Sequence, residues 1–252
     1  MYKTGIVLSG GGARGFAHLG VLQALNEAGI FPDCVSGTSA GAIAGAFYAD
    51  GYKPQEILKI LSKKKRLDFL GFSLPKEGLM EMSGLQKIFE KNLSVKTFSE
   101  LKIAFFAAAT NLNLGKIEYF NSGNIVDAVV ASASIPVVFK PKIINNNYYV
   151  DGGVIDNMPI APILGKCDVI IGSYVNHIIK QDTFNSMFAI AERVFNLGLD
   201  KGLKSKYKKF DLLIEPPELQ KYGIMNPEKA SEIYEIGYKA TRKALKKNPF
   251  LF

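Results

Sequence analysis

Histidine is scarce in this chain. His18 and His177 are the only two in 252 residues, so a serine nucleophile would have few imidazoles from which to draw a base. Cysteine is equally scarce. Cys34 and Cys167 both fall in apolar runs that read as buried strands, which makes them small core residues rather than a disulfide or a metal pair. That usage fits a reducing, intracellular setting, and a cytoplasmic location is expected. A long hydrophobic run is missing too. The longest uncharged window, Cys34 to Ala49, is shorter than the roughly 20 apolar residues of a spanning helix and carries several Gly, Ser and Thr. The opening Met1-Tyr2-Lys3-Thr4-Gly5-Ile6-Val7-Leu8 has too short an apolar run for a secretory signal.

Hydrophobic residues make up 48% of the chain, enough for a large core, and a chain of this length is most simply one domain, residues 1–252. The formal net charge of +8 favours an anionic partner, whether membrane, nucleic acid or acidic ligand, without choosing among them. Nucleic acid has only this charge behind it, and none is expected as a partner. Oligomeric state is open.

Two glycine-rich turns organise the rest. Thr4 to Ser9 reads as a strand, Gly10-Gly11-Gly12-Ala13-Arg14-Gly15 as a loop, and Phe16 to Ala28 as a helix with Val21, Leu22 and Leu25 on one face and Gly29 as its stop. Successive N–H groups in such a loop form a positive nest suited to a phosphate or an oxyanion. Gly10-x-Gly12-x-x-Gly15 satisfies the dinucleotide fingerprint, but that fingerprint needs an acid at the end of the second strand. Here the second strand ends in Gly37-Thr38-Ser39, and Asp33 lies at its opposite end. A P-loop needs Gly-Lys-Ser/Thr, which is absent. The remaining use is an oxyanion hole. Asp33-Cys34-Val35-Ser36, then Gly37-Thr38-Ser39-Ala40-Gly41, then Ala42 to Ala49 form the strand, turn and helix on which G-x-S-x-G presents a serine. Loops after adjacent parallel strands open at one carboxyl edge, which sets the nest beside Ser39.

Farther on, Pro54 to Arg66 reads as a helix ending in Ser62-Lys63-Lys64-Lys65-Arg66, followed by apolar Phe69 to Pro75 and Leu79-Met80; this basic and apolar pair could dock on anionic lipid. Ser83 reads as the N-cap of a helix through Leu93, Ile103 to Thr110 as a buried strand, Ile117 to Phe120 as its returning partner, and Asn124 to Ser134 as a helix. Val137 to Pro141 continues into Ile143-Ile144, and Asn145-Asn146-Asn147 turns the chain into Tyr148-Tyr149-Val150, which delivers Asp151-Gly152-Gly153. Asp168 to Tyr174 is a further strand, Phe184 to Leu199 a helix, Leu212 to Ile214 a last strand, and Glu228 to Lys247 a final amphipathic helix. Strands alternating with helices give a three-layer α/β/α fold with a mostly parallel sheet.

A serine needs a proton acceptor. In the order Ser…Asp/Glu…His, only His177 could complete a triad, while His18, one turn past the glycine loop, is better placed to support that loop. A carboxylate acting directly as base is the alternative, because burial raises its affinity for a proton.

Three blocks in order, Gly10-Gly11-Gly12-Ala13-Arg14-Gly15, Gly37-Thr38-Ser39-Ala40-Gly41, and Asp151-Gly152-Gly153 with Asn157 and Pro159, resemble the patatin-like phospholipases, and Ala133-Ser134-Ile135-Pro136 with Phe139 and Pro141 is similar to a further family segment. The resemblance spans about residues 4 to 165. It implies a lipid acyl hydrolase without metal or cofactor, acting on phospholipid or another fatty-acyl ester. Ser39 would be the nucleophile and Asp151 its partner in a dyad. The amides of Gly10, Gly11 and Gly12 would form the oxyanion hole, with Arg14 supporting the loop and Gly15, Gly37, Gly41 and Gly152 supporting the motifs. The rivals are an acyltransferase using the same serine and a lipid-binding or storage protein with a vestigial site.

Overall fold

The computed structural model describes residues 1–63, 81–177, 203–224 and 227–249, together with 180, 183, 190, 193–194, 197–198 and 251. The basic and apolar stretch beyond Lys63 and most of the helix expected over Phe184 to Leu199 lie outside the described residues.

Among the described residues eight strands form one mixed sheet: β1 (Tyr2–Leu8), β2 (Cys34–Thr38), β3 (Ala104–Asn111), β4 (Lys116–Phe120), β5 (Lys142–Ile144), β6 (Asn147–Asp151), β7 (Cys167–Ser173) and β8 (Leu212–Ile214). Hydrogen-bonded neighbours run β5-β6-β3-β2-β1-β7-β8, and β4 also pairs with β3. The pairs β1–β2, β2–β3, β1–β7 and β7–β8 are parallel, whereas β3–β4, β3–β6 and β5–β6 are antiparallel. The sheet is therefore mostly parallel, as the alternation of strands and helices implied.

The flanking helices are α1 (Phe16–Glu27), α2 (Ala40–Asp50), α3 (Pro54–Ser62), α4 (Ser83–Asn92), α5 (Ile125–Ala133) and α6 (Ala230–Lys247). Period-two alternation in β1 divides the core. Ile6 and Leu8 face the cluster shared with α1, α2 and α6, while Val7 faces a second cluster with Phe106, Met158, Ile163, Ile170 and Tyr174. On the helical side α1 and α6 pack backbone to backbone: a Cβ on Gly20 would lie 2.0 Å from the Tyr234 carbonyl oxygen, and one on Gly237 would lie 2.1 Å from that of Ala17. Two residues that look like gaps in amphipathic stripes are thus the contact itself.

Local chemistry sets several boundaries. Asn124 caps α5, its Oδ1 accepting from the Asp127 amide at 3.0 Å. Asn145 and Asn146 both take positive φ, 49° and 63°, which the tight turn of the β5–β6 hairpin requires. Two expectations are corrected. Ser83 is the first residue of α4 and makes no cap, since Met82 holds that position. The strand expected from Val137 begins only at Lys142, because the amides of Val138 and Phe139 both turn back onto the Ile135 carbonyl, at 3.3 and 2.9 Å.

Candidate active site

Ser39 occupies the single residue between β2 and α2, with φ 53° and ψ −118°. For a residue with a side chain this is a strained conformation, costing on the order of 1–3 kcal/mol. Its neighbours must be bare. A Cβ on Gly41 would lie 2.1 Å from the Leu8 carbonyl oxygen, and one on Gly37 would lie 2.5 Å from the Gly41 carbonyl. Gly15 touches Ala40 in the same way. The Ser39 amide donates to Ser132 Oγ at 2.9 Å, and the side chain, 6% exposed, stands at the start of α2.

Strand register brings Asp151 to it. β4 lies along one edge of β3 from Ala107 to Asn111, so β2 and β6 must share the other edge. On that edge Thr38 pairs with Ala108, and Asp151 pairs with the next residue, Ala109. Two strands of opposite direction thus meet end to end, which brings the hydroxyl of Ser39, the residue just past β2, and the carboxyl of Asp151, the last residue of β6, into one place. Gly152 makes the junction possible, since a Cβ there would lie 2.3 Å from the Ala108 carbonyl oxygen. The end of α5 fastens both partners: Ser132 holds Ser39, and the Ser134 carbonyl accepts the Asp151 amide at 2.9 Å. Thr38 Oγ1 donates to the Asp156 carbonyl at 2.9 Å, binding β2 to the segment that follows Asp151. The Asp156 carboxylate in turn holds Tyr119 and Lys206.

Burial governs the Asp151 carboxyl. It is 1% exposed, and desolvation pushes its pKa up from 3.8 to about 7, opposed by the Ser39 hydroxyl and by the Gly153 amide, which donates to Oδ1 at 2.8 Å. Oδ2 has no formed hydrogen bond among the described residues. Ser39 is therefore close enough to act on the carboxyl but is not locked to it, the state expected of a proton-transfer pair before substrate aligns it.

The glycine loop lies alongside. A Cβ on Gly10 would be 3.1 Å from that of Ser39. Gly12, at φ 54°, sits against the Ile224 carbonyl, which accepts from the Ala13 amide at 2.7 Å. Arg14 ties the loop to the same region, its Nε donating to the Tyr222 carbonyl at 2.7 Å. The expectation of three free amides is corrected at Gly10, whose N–H donates to the buried Asn157 Oδ1 at 2.9 Å. Among the described residues the amides of Gly11 and Gly12 have no acceptor. His18 supports the loop from beneath: Nε2 donates to the Ser9 carbonyl and Nδ1 accepts from Ser173 Oγ, both at 2.8 Å. Burial lowers its pKa to about 4, so the ring is neutral. His177 pairs instead with Glu215, Nδ1 to Oε1 at 2.9 Å, and makes no hydrogen bond to Ser39 or Asp151.

Ser39 opens onto an apolar cavity of about 150 Å³ whose walls include Phe16, Leu19, Ile43, Leu61, Leu85 and Phe139. No charged side chain lines it among the described residues. Ser132, Asn176 and the positioning part played by Asn157 escaped the sequence reading. No local pattern names their partners, each of which lies far along the chain.

A family model described as patatin-like phospholipase matches residues 6–164. An uncharacterized NTE family protein of Mycobacterium bovis is 32% identical over 69% of this chain and 49% of its own length. A lysophospholipase of Emericella nidulans is 27% identical over 97% of this chain and 18% of its own. The chain thus spans about half of the first relative and under a fifth of the second. In fold it is similar to the crystal structure of VipD from Legionella pneumophila, with a TM-score of 0.59, 17% identity, and coverage of 98% of this chain and 67% of that one.

Proposed function

The chain belongs to the patatin-like phospholipase family, and from that premise we propose that it is a serine lipid acyl hydrolase working through Ser39 and Asp151. Ser39 Oγ attacks the ester carbonyl while Asp151 takes its proton. The amides of Gly11 and Gly12 stabilise the tetrahedral oxyanion, a contribution of roughly 10²–10³ in rate per donor in comparable sites. Collapse expels the alcohol, which leaves with the proton from Asp151. Water then attacks the acyl-serine and gives a proton to Asp151, which passes it to Ser39 Oγ as the second tetrahedral intermediate collapses, releasing the fatty acid and restoring the hydroxyl and the carboxylate.

The observation that carries this reading is the end-to-end meeting of β2 and β6, which sets a hydroxyl against a carboxyl with a pKa of about 7. A carboxyl so poised can accept a proton near neutrality and give it back, which an ordinary aspartate does poorly. The uncharged cavity suits an acyl chain rather than a head group. Val137, between the cavity-lining Ile135 and Phe139 in sequence, exposes 73% of an apolar side chain. Together with the net charge of +8, this supports contact with an anionic lipid surface.

Ser39→Ala and Asp151→Asn should each lower ester and phospholipid hydrolysis by at least about a thousandfold while the fold persists, as judged by circular dichroism. Near-full activity in Asp151→Asn would sink the dyad.

A further inference from the structure

We infer that Asn176 is a positioning residue that aims the Gly11 amide at the reacting oxygen. The inference rests on the hydrolase reading above and extends it to a residue beyond the stretch matched by the family model. A peptide group is planar and trans, so the direction of its C=O fixes that of its N–H on the opposite side. Gly10 stands between two such planes. In the Ser9–Gly10 peptide both ends are held: the carbonyl by His18 Nε2 at 2.8 Å and the amide by Asn157 Oδ1 at 2.9 Å.

In the Gly10–Gly11 peptide only the carbonyl is held. It accepts from Asn176 Nδ2 at 2.6 Å and from Ser9 Oγ at 2.9 Å, leaving the Gly11 N–H pointing away from both without an acceptor among the described residues. Of four backbone groups around Gly10, three are fixed and the fourth is free, which is what a donor reserved for substrate requires. Asn176 is fully buried just past the end of β7, and its Oδ1 bonds nothing among the described residues. Its amide therefore acts through Nδ2 alone. Val175 crowds the same place, its Cγ2 lying 2.4 Å from where a Gly11 Cβ would be, and its own amide donates to Ser9 Oγ at 3.1 Å. Without Nδ2 the carbonyl keeps one donor, a rotatable hydroxyl, and the plane can rock.

The test uses the full chain, p-nitrophenyl butyrate as a soluble ester, and a fluorophosphonate probe for Ser39. Asn176→Ala should lower kcat roughly tenfold to a hundredfold, less than the 10²–10³ lost when an oxyanion donor is deleted outright. KM should stay within twofold, because the cavity that holds the acyl chain is untouched. The isosteric Asn176→Asp supplies a readout that loss of packing would not produce. Its ionised carboxylate cannot donate to the Gly10 carbonyl, but its protonated form can. The ratio of its kcat to that of the wild type should therefore climb as pH falls, while the same ratio for Asn176→Ala stays flat. An active wild type whose two variants both keep kcat within twofold, or whose ratios show the same pH dependence, overturns this inference and leaves the hydrolase reading standing. A wild type inert to ester and probe alike sinks the hydrolase reading, and this inference with it.

Discussion

The elbow at Ser39 and the glycine loop beside it are held by different means. At the elbow, the near side, the contacts are steric, against backbone at Gly37, Gly41 and Gly152, where a single added carbon has nowhere to go. In the glycine loop, the far side, they are polar, made by the side chains of His18, Asn157, Asn176 and Ser9, each buried and each acting through one or two hydrogen bonds. The near side thus resists any gain of volume, and the far side resists any loss of a donor or acceptor. One side fixes where the reacting atoms stand, while the other fixes which way the backbone dipoles point.

Adding an atom on the near side is the harshest way to break this contrast. Gly41→Ala places a methyl 2.1 Å from a carbonyl oxygen, and the strain should exceed the roughly 1–3 kcal/mol typical of overpacking. Thermal unfolding should occur at a markedly lower temperature, with ester hydrolysis down by at least about a hundredfold. A variant as stable and active as the wild type would show that the near side is not sterically set.

The next largest effect separates stability from activity at Asp151. Its carboxyl has a higher pKa in the fold, about 7 against 3.8, so ionisation disfavours folding. The native state is at its full advantage below about pH 4, loses it as pH rises through about 7, and changes little beyond. Asp151→Asn escapes that loss and should become more stable than the wild type by a few kcal/mol, at about 1.4 kcal/mol per tenfold change in proton affinity. Denaturant midpoints at pH 4 and pH 8 check it, the gain appearing only at the higher value. In the wild type kcat/KM should fall as pH drops below about 7, where the base becomes protonated.

The far side is probed more gently by the two histidines. His18→Phe keeps a ring but strands the Ser9 carbonyl and the Ser173 hydroxyl, about 1–3 kcal/mol for each buried group left unpaired. Lower stability and a several-fold loss of kcat should follow. His177→Ala removes only a partly exposed pair with Glu215, worth about 0–1 kcal/mol, and kcat should stay within twofold. Loss of most activity there would restore the triad in place of the dyad.

The sequence made the near side readable because steric demands leave runs of glycine in short windows. Both strand–turn–helix units and the elbow at Ser39 could be placed from Gly10 to Gly15 and from Gly37 to Gly41. The far side was not readable. Asn157 bonds Gly10 across 147 positions and Asn176 does so across 166; Asn157 stands out only as part of the block that carries the resemblance, without its partner being visible, and nothing near Asn176 distinguishes it from any other polar residue. The Gly10 amide was expected to be free for the same reason, its partner being invisible from its own neighbourhood. Asp151 could be singled out only by resemblance, since Asp-Gly after a strand is ordinarily a turn, and no local pattern reveals that β6 runs against β3 to end at β2. In α6, Ile233, Tyr234 and Gly237 fall at helical spacing and are buried, whereas Ala240 and Leu245 at the same spacing are only partly so; Thr241, buried with its hydroxyl donated to the Gly237 carbonyl, carries no apolar periodicity that would reveal it.

β3 contributes no side chain to the chemistry, and its middle is the run Ala107-Ala108-Ala109. It nevertheless works as a ruler. The end of β2, Thr38, is read off against Ala108 and the end of β6, Asp151, against Ala109, so the gap between the two strand ends that present the hydroxyl and the carboxyl is graduated by one Cα-to-Cα step on a third strand. Slipping either neighbour by a single mark would move its terminal side chain about 3.3 Å along the scale and turn it to the opposite face.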